Sequence, residues 1–271
     1  MISGNTLTRR RWRDLWWIAT ALILSAPATA APKAALWPAH NPHSRAVVDH
    51  VPWDRFLKKY VNTGPDGINR VDYAAVTQAD KQGLRRYIAS LAATPIRGHN
   101  REQQFVFWVN LYNAITLHIV LEAYPVASIR DLGVFSSGPW NRELVNVEVR
   151  DLTLNDIEHR IVRPIWRDPR THYAVNCASI GCPNLQTTAF TGEASLSKAA
   201  VAYIDHNRGV TVAANGLVVS SIYEWFKEDF GGTDEGIIEH LKKYAEPSLF
   251  KLLTEFAEIV DDEYDGSLND A

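Results

Sequence analysis

From Phe105 to Leu121 the chain carries no lysine, arginine, aspartate or glutamate. That run constrains the fold more than any other. Residues 101–124 are apolar around the whole circumference of a helix, so the segment reads as a largely buried helix that the rest of the chain must surround. Pro125 stops it. Two carboxamides, Asn110 and Asn113, interrupt it three positions apart, on nearly one helical line. Buried carboxamides must find partners. They either orient a catalytic imidazole or a substrate carbonyl, or bind the backbone of a neighbouring loop. His118 lies roughly 80° round the helix from Asn110 and reads as a core or boundary histidine.

The N-terminus reads as an address. Arg9-Arg10-Arg11-Trp12-Arg13 is followed by uncharged residues from Leu15 to Ala26 and then by Ala28-Thr29-Ala30. A basic flank, a short apolar core and an Ala-x-Ala site make residues 1–30 a signal peptide. The apolar core is about 12 residues, short of the roughly 20 that span a bilayer, which argues against the alternative of an uncleaved anchor. Thr8 to Trp12 also resembles a twin-arginine signal, although Asp14 and the core suit the general route equally. The mature chain is expected in a bacterial periplasm or secreted, with no stable membrane span once the signal is gone. Such a compartment permits disulfides. Residues 1–30 hold four arginines and one aspartate, so their removal takes the net charge from -3 to -6. A mildly acidic body argues against nucleic acid as partner. At 46% hydrophobic and 22% charged, the chain is neither disordered nor collagen-like. Its two cysteines exclude a disulfide-rich scaffold and a Cys₄ zinc centre.

Residues 31–45 read as a flexible lead and 46–271 as a single α+β domain. Helical spacing predicts helices from Trp53 to Val61 and over 78–93, separated by a turn cluster at 62–67. Leu144 to Val149 alternates like a half-buried strand. Thr153 caps a helix running to about Val162. Residues 171–176 read as a strand, 193–207 as a helix and 210–219 as a hairpin around Asn215-Gly216. Two short helices near 233–244 and 247–257 precede an acidic tail.

Chemistry concentrates between Thr171 and Asn184, where both cysteines lie. A thiolate nucleophile needs an imidazole to lower its pKa and backbone amides to hold an oxyanion. On that reading Cys177 attacks and His172 or His159 accepts the proton. Asn176, Ser179 and Cys182 beside it are substrate-binding or orienting candidates, and the amides of Ala178 to Gly181 form the oxyanion hole. His172 and Cys177, five apart, point to opposite faces of an extended strand, so the strand must end or bulge before the cysteine. Glu158 and His159 are adjacent in a helix and form no dyad by themselves, but one of them can point inward. Three alternatives stand beside the nucleophile: a Cys177–Cys182 disulfide, a redox cycle of that pair, and zinc on Cys177, Cys182, His172 and His159. The aromatic cluster Trp225 to Phe230 reads as core packing.

The runs Phe107–His118, Ser128–Asp131, Leu152–His159, Asp168–Arg170, His172–Pro183, Ser221–Phe226 and Asp265–Asn269 resemble the domain-of-unknown-function 547 family over roughly residues 46–270. Many relatives carry tryptophan where this chain has Gly266. The family is grouped with papain-like cysteine-peptidase and transglutaminase-like folds. The resemblance therefore implies a long central helix packed on an antiparallel sheet with additional peripheral helices. It also implies a Cys-His site on Cys177 and His172, supported by Glu158, His159, Asn110 and Asn113. In papain the cysteine begins the long helix; here the cysteines follow it. Together these readings give an exported cysteine-dependent hydrolase or acyltransferase. It would act on an amide, isopeptide or γ-glutamyl/thiol-type small molecule or peptide, with no cofactor and no metal. The alternative is a non-catalytic binding or structural domain closed by a Cys177–Cys182 disulfide.

Overall fold

Asn100 starts the central helix by accepting a hydrogen bond from the Gln103 N–H at 2.9 Å. The helix, α3 (Arg101–Ala123), is buried along nearly its whole length. The computed structural model describes residues 35–271, which fall in one compact unit. The expected signal peptide lies outside the described residues. Although α3 is long and apolar enough to cross a membrane, it is spent inside the fold.

Before α3 come α1 (Val51–Tyr60) and α2 (Gln78–Ala92), joined by the hairpin β1 (Val61–Thr63) and β2 (Asn69–Val71). Thr77 caps α2 by accepting from the Asp80 N–H. After α3 the hairpin β3 (Val145–Val147) and β4 (Arg150–Leu152) turns at Glu148 and Val149, both at positive φ. That turn cuts short the strand expected over 144–149. Thr153 caps the next helical run through a reciprocal bond pair with Asp156, as its position predicts. The run comprises α4 (Leu154–Asp156), a π-helical turn (Ile157–Val162) and α5 (Arg163–Trp166).

The remaining elements are α6 (Glu193–Ile204), β5 (Val210–Ala213), β6 (Gly216–Ser220), α7 (Ser221–Trp225), α8 (Asp234–Tyr244), α9 (Pro247–Glu255) and β7 (Ile259–Glu263). In the 210–219 hairpin Ala213 pairs with Gly216, so Ala214 and Asn215 form the turn. β7 adds to β6 in parallel.

The chain is α+β, but among the described residues its strands form three small sheets, two of two strands and one of three. This corrects the expectation of one antiparallel sheet under the central helix. α3 packs chiefly against α2 and the π-helical turn. The lead also differs from expectation. Residues 35–45 form no helix or strand, yet Trp37 is 2% exposed. Its Nε1 donates to Glu148 at 2.7 Å, and its ring meets Trp108 edge-on at 5.2 Å. Burying that indole fixes the segment.

Candidate functional site

The residues expected to form a strand at 171–176 instead begin as a 3₁₀ turn, Pro169–Tyr173, capped by Asp168, which accepts from the Arg170 N–H. Among the described residues no neighbouring strand pairs with Ala174 to Asn176. The Asn113 carboxamide substitutes for one: it donates to Ala174 O at 2.9 Å and accepts from Asn176 N–H at 2.8 Å. Asn110 does the same for Phe190, donating to its carbonyl and accepting from its amide, each at 3.0 Å. Both asparagines are thus backbone clamps within the core. Of the two alternatives the sequence left open, the structure shows the backbone one for both, and neither lines the cavity described below. Asn176 likewise turns inward, accepting from Ala178 N–H and donating to Pro183 O.

Cys177 and Cys182 are joined in a disulfide, and no described cysteine is free. The expected free nucleophile is therefore absent from this state, because the sulfur valence is taken. Three of the four amides expected to form the oxyanion hole are already occupied. The amides of Ala178, Ile180 and Gly181 donate to Asn176 Oδ1, Ser267 O and Asp265 O. Those last acceptors belong to the C-terminal segment 264–269, which lies across the cysteine turn. Gly181 permits that approach, since a Cβ there would lie 2.8 Å from Asp265 N. From the other side Arg208 donates to the carbonyls of Ile180 (2.6 Å) and Cys182 (2.8 Å). The Tyr203 hydroxyl donates to Gly181 O at 2.7 Å. Ala178, fully buried, is held at φ 57°, a conformation that costs a non-glycine residue roughly 1 kcal/mol or more.

The two sulfurs are not equivalent. Cys182 is 3% exposed, whereas Cys177 is partly open. The Cys177 N–H points at Cys182 Sγ at 3.1 Å. The Tyr264 hydroxyl reaches both, at 2.9 Å from Cys177 Sγ and 3.2 Å from Cys182 Sγ. Burial pushes the Tyr264 phenol above its ordinary range, so it stays protonated and donates.

Both cysteines line a cavity of about 550 Å³. Its walls also hold Glu158, His159, His172 and Ser179, and the aromatic residues Tyr112, Trp140, Trp225, Phe226 and Tyr264. The π-helical turn accounts for adjacent Glu158 and His159 both facing it. There Arg163 N–H bonds to Glu158 O, five residues back, and the widened turn alters the angular spacing on which the one-inward expectation rested. Trp225 is 59% exposed at the cavity, its ring 4.7 Å from that of Tyr264, so it is a wall rather than core.

His172 is nearly enclosed, stacked on Phe226 at 4.1 Å. Its Nε2 donates to Asp229 Oδ2 at 2.7 Å, and its Nδ1 lies 4.0 Å from Glu158 Oε1. The expected pairing of His172 with Cys177 is not formed among the described residues; Asp229 holds Nε2, and the Cys177 sulfur is bonded to Cys182. Burial alone would raise the Asp229 carboxyl. The hydrogen bonds from His172 and from Arg163 Nε (2.6 Å) outweigh it and hold the group well below the usual carboxylate range. Partial burial lowers the His159 pKa, with Glu158 opposing and Arg163 reinforcing the shift. Tyr112 donates to Glu158 Oε2 at 3.1 Å.

Sequence reading missed Asp229, Tyr264, Tyr112 and Arg208, each far from the cysteines in the chain. The available signals were the run Phe107–His118, which contains Tyr112, and the aromatic run ending at Phe230, which contains Asp229. Among the described residues no group of three or more His, Cys, Asp or Glu side chains is arranged to hold a metal ion. The zinc alternative fails in this state, since disulfide sulfurs offer no thiolate. No curated protein and no solved structure matches the chain. Residues 96–204, from the turn before α3 to the end of α6, match the family model described as "Protein of unknown function, DUF547", a narrower span than the resemblance read in the sequence but one that supports that family.

Proposed function

We propose that this is an exported protein that exchanges its Cys177–Cys182 disulfide with a small thiol, or a short thiol-bearing peptide, bound in the 550 Å³ cavity. One observation carries the reading: the disulfide forms cavity wall, with one sulfur accessible and the other buried against a backbone N–H donor. An incoming thiolate attacks the accessible Cys177 sulfur. The Cys177–Cys182 bond breaks, its electron pair passes to Cys182, and a mixed disulfide remains on Cys177. A second equivalent of the thiol releases the oxidised product and leaves the protein dithiol. His172, oriented by Asp229, is the acid–base group on the same wall, and the aromatic walls supply apolar contact.

The turn has ties besides the disulfide. Asn176, Arg208, Tyr203 and the C-terminal segment already bind its backbone. The left-handed Ala178 beside Cys177 is strain of the kind found at working sites. In this reading the papain-like relationship is kept in outline only, as a long buried helix beside a cysteine whose sulfur sits on a loop. Action on an amide or γ-glutamyl bond belongs to the reduced protein, where Cys177 regains its thiol, and it needs an oxyanion site other than the occupied amides.

The test is native protein incubated with reduced glutathione and read by intact mass. A one-glutathione adduct on Cys177 of the native disulfide protein, trapped by alkylating the freed Cys182 thiol, is expected. A disulfide that opens only after denaturation overturns the proposal in favour of a structural crosslink.

A further inference from the structure

When a disulfide opens, the rate depends on how well the departing sulfur carries negative charge. Three features surround Cys182. The Cys177 N–H lies 3.1 Å from its sulfur. The Tyr264 hydroxyl lies 3.2 Å from that sulfur. The Arg208 guanidinium sits on the Cys182 carbonyl at 2.8 Å, and among the described residues it pairs with no carboxylate; it donates to the Ile180 and Cys182 carbonyls, His206 Nδ1 and Asn184 Oδ1. The surroundings thus offer donors and positive charge to a group that is neutral in the disulfide state. The Tyr264 hydroxyl meets both sulfurs, and the Ser179 side chain bonds it as well. Its backbone position is fixed from both sides: β7 ends one residue earlier, and Asp265 O accepts from Gly181 N–H at 2.7 Å.

Resting on the exchange reading above, we infer that Tyr264 is the catalytic residue that receives the leaving sulfur, holding Cys182 as a thiolate by a donated hydrogen bond when the disulfide opens. The electron pair of the broken S–S bond resides on Cys182 Sγ, the incoming sulfur is bonded to Cys177, and Tyr264 keeps its proton. In the return step the Cys182 thiolate attacks the Cys177 side of the mixed disulfide, and the small thiolate leaves.

The experiment pairs the full-length protein with Tyr264→Phe, which keeps the ring against Trp225 and removes only the hydroxyl. Two quantities are read for each. One is the rate of glutathione adduct formation on the oxidised protein. The other is the pH midpoint of Cys182 alkylation by iodoacetamide, measured in a Cys177→Ser background so that a single thiol reports. The expected result is a Cys182 midpoint below the ordinary value near 8.5. Tyr264→Phe should raise that midpoint by about one pH unit and slow adduct formation about tenfold, the worth of one hydrogen bond to a charged group. Unchanged rate and midpoint in Tyr264→Phe overturn the role of Tyr264 while leaving exchange intact. An ordinary midpoint before any change at Tyr264 overturns it without reference to the variant. No adduct on the native oxidised protein sinks the exchange reading itself, whatever the midpoints are.

Discussion

Asn113, in the middle of the buried helix, holds Asn176 by its main-chain amide at 2.8 Å. The same carboxamide bonds the carbonyl of Ala174, so one side chain sets the position of the strand-like segment that delivers Cys177. Replacing Asn113 with alanine removes both bonds and leaves a buried N–H and C=O unpaired. The expected loss is about 2–4 kcal/mol in urea unfolding, together with a more accessible disulfide. A variant within 0.5 kcal/mol of the parent, on the order of an ordinary surface change, would contradict the clamp.

Reduction of the disulfide should leave the fold standing. The bond closes a short loop, from Cys177 to Cys182. In the loop-entropy model so short a loop contributes about 2 kcal/mol, and the turn has other ties. Urea midpoints with and without a phosphine reductant should differ by that amount, with an unchanged far-UV spectrum. Complete unfolding on reduction at 25 °C would show that the crosslink, rather than the clamps, organises the turn.

Asp229 carries a depressed pKa because His172 and Arg163 donate to it against the opposing effect of burial. A carboxyl lowered by folding stabilises fully above its unfolded value near 3.8 and loses that contribution as pH falls below it. Asp229→Asn should therefore cost about 2 kcal/mol at pH 7, with the gap to the parent narrowing below pH 4. A gap that is constant from pH 7 to 3 would exclude a carboxylate-specific interaction.

His240 is buried behind Tyr173, whose hydroxyl meets its Nε2 at 2.8 Å. Burial lowers its pKa to about 4. Between pH 6.5 and 4 the unfolded chain binds a proton that the folded one refuses, so stability must fall as pH falls across that window. Each such histidine contributes a slope of up to about 1.4 kcal/mol per pH unit. His50, also lowered to about 4 by burial, acts in the same window. His240→Gln should flatten the slope measured by urea titration at successive pH values; an unaltered slope would place the titrating group elsewhere.

Gly181→Ala places a Cβ 2.8 Å from Asp265 N and 2.9 Å from the Tyr264 ring. Backbone at that distance cannot swing aside as a side chain can, so the C-terminal segment must shift. A cost of about 1–3 kcal/mol is expected, with slower disulfide exchange. An exchange rate equal to the parent's would mean that Tyr264 holds its place by other contacts.

What could be read in the sequence followed how local each signal was. The uncharged run 105–121 announced α3, because burial on all sides needs no information from elsewhere. Thr153 announced its cap, since its partner Asp156 is three residues away. The cavity's cysteines and histidines were visible as a cluster. Their arrangement was not, because it depends on distant residues: Asp229 on His172, Tyr112 on Glu158, and Tyr264 on both sulfurs. The strand expected at 171–176 failed for a related reason. A side chain of α3 satisfies the backbone that a neighbouring strand would otherwise pair. The π-helical turn escapes any test built on a period of 3.6, which is why Glu158 and His159 were expected to point apart.

Tyr264 follows Cys182 by 82 positions, and this distance sets an order of events. Synthesis runs from the N-terminal end, so the cysteine pair leaves the ribosome before the phenol that covers it. The segment that follows β7 is the last piece to seat, and any crosslinking that precedes it meets the sulfurs without their cover.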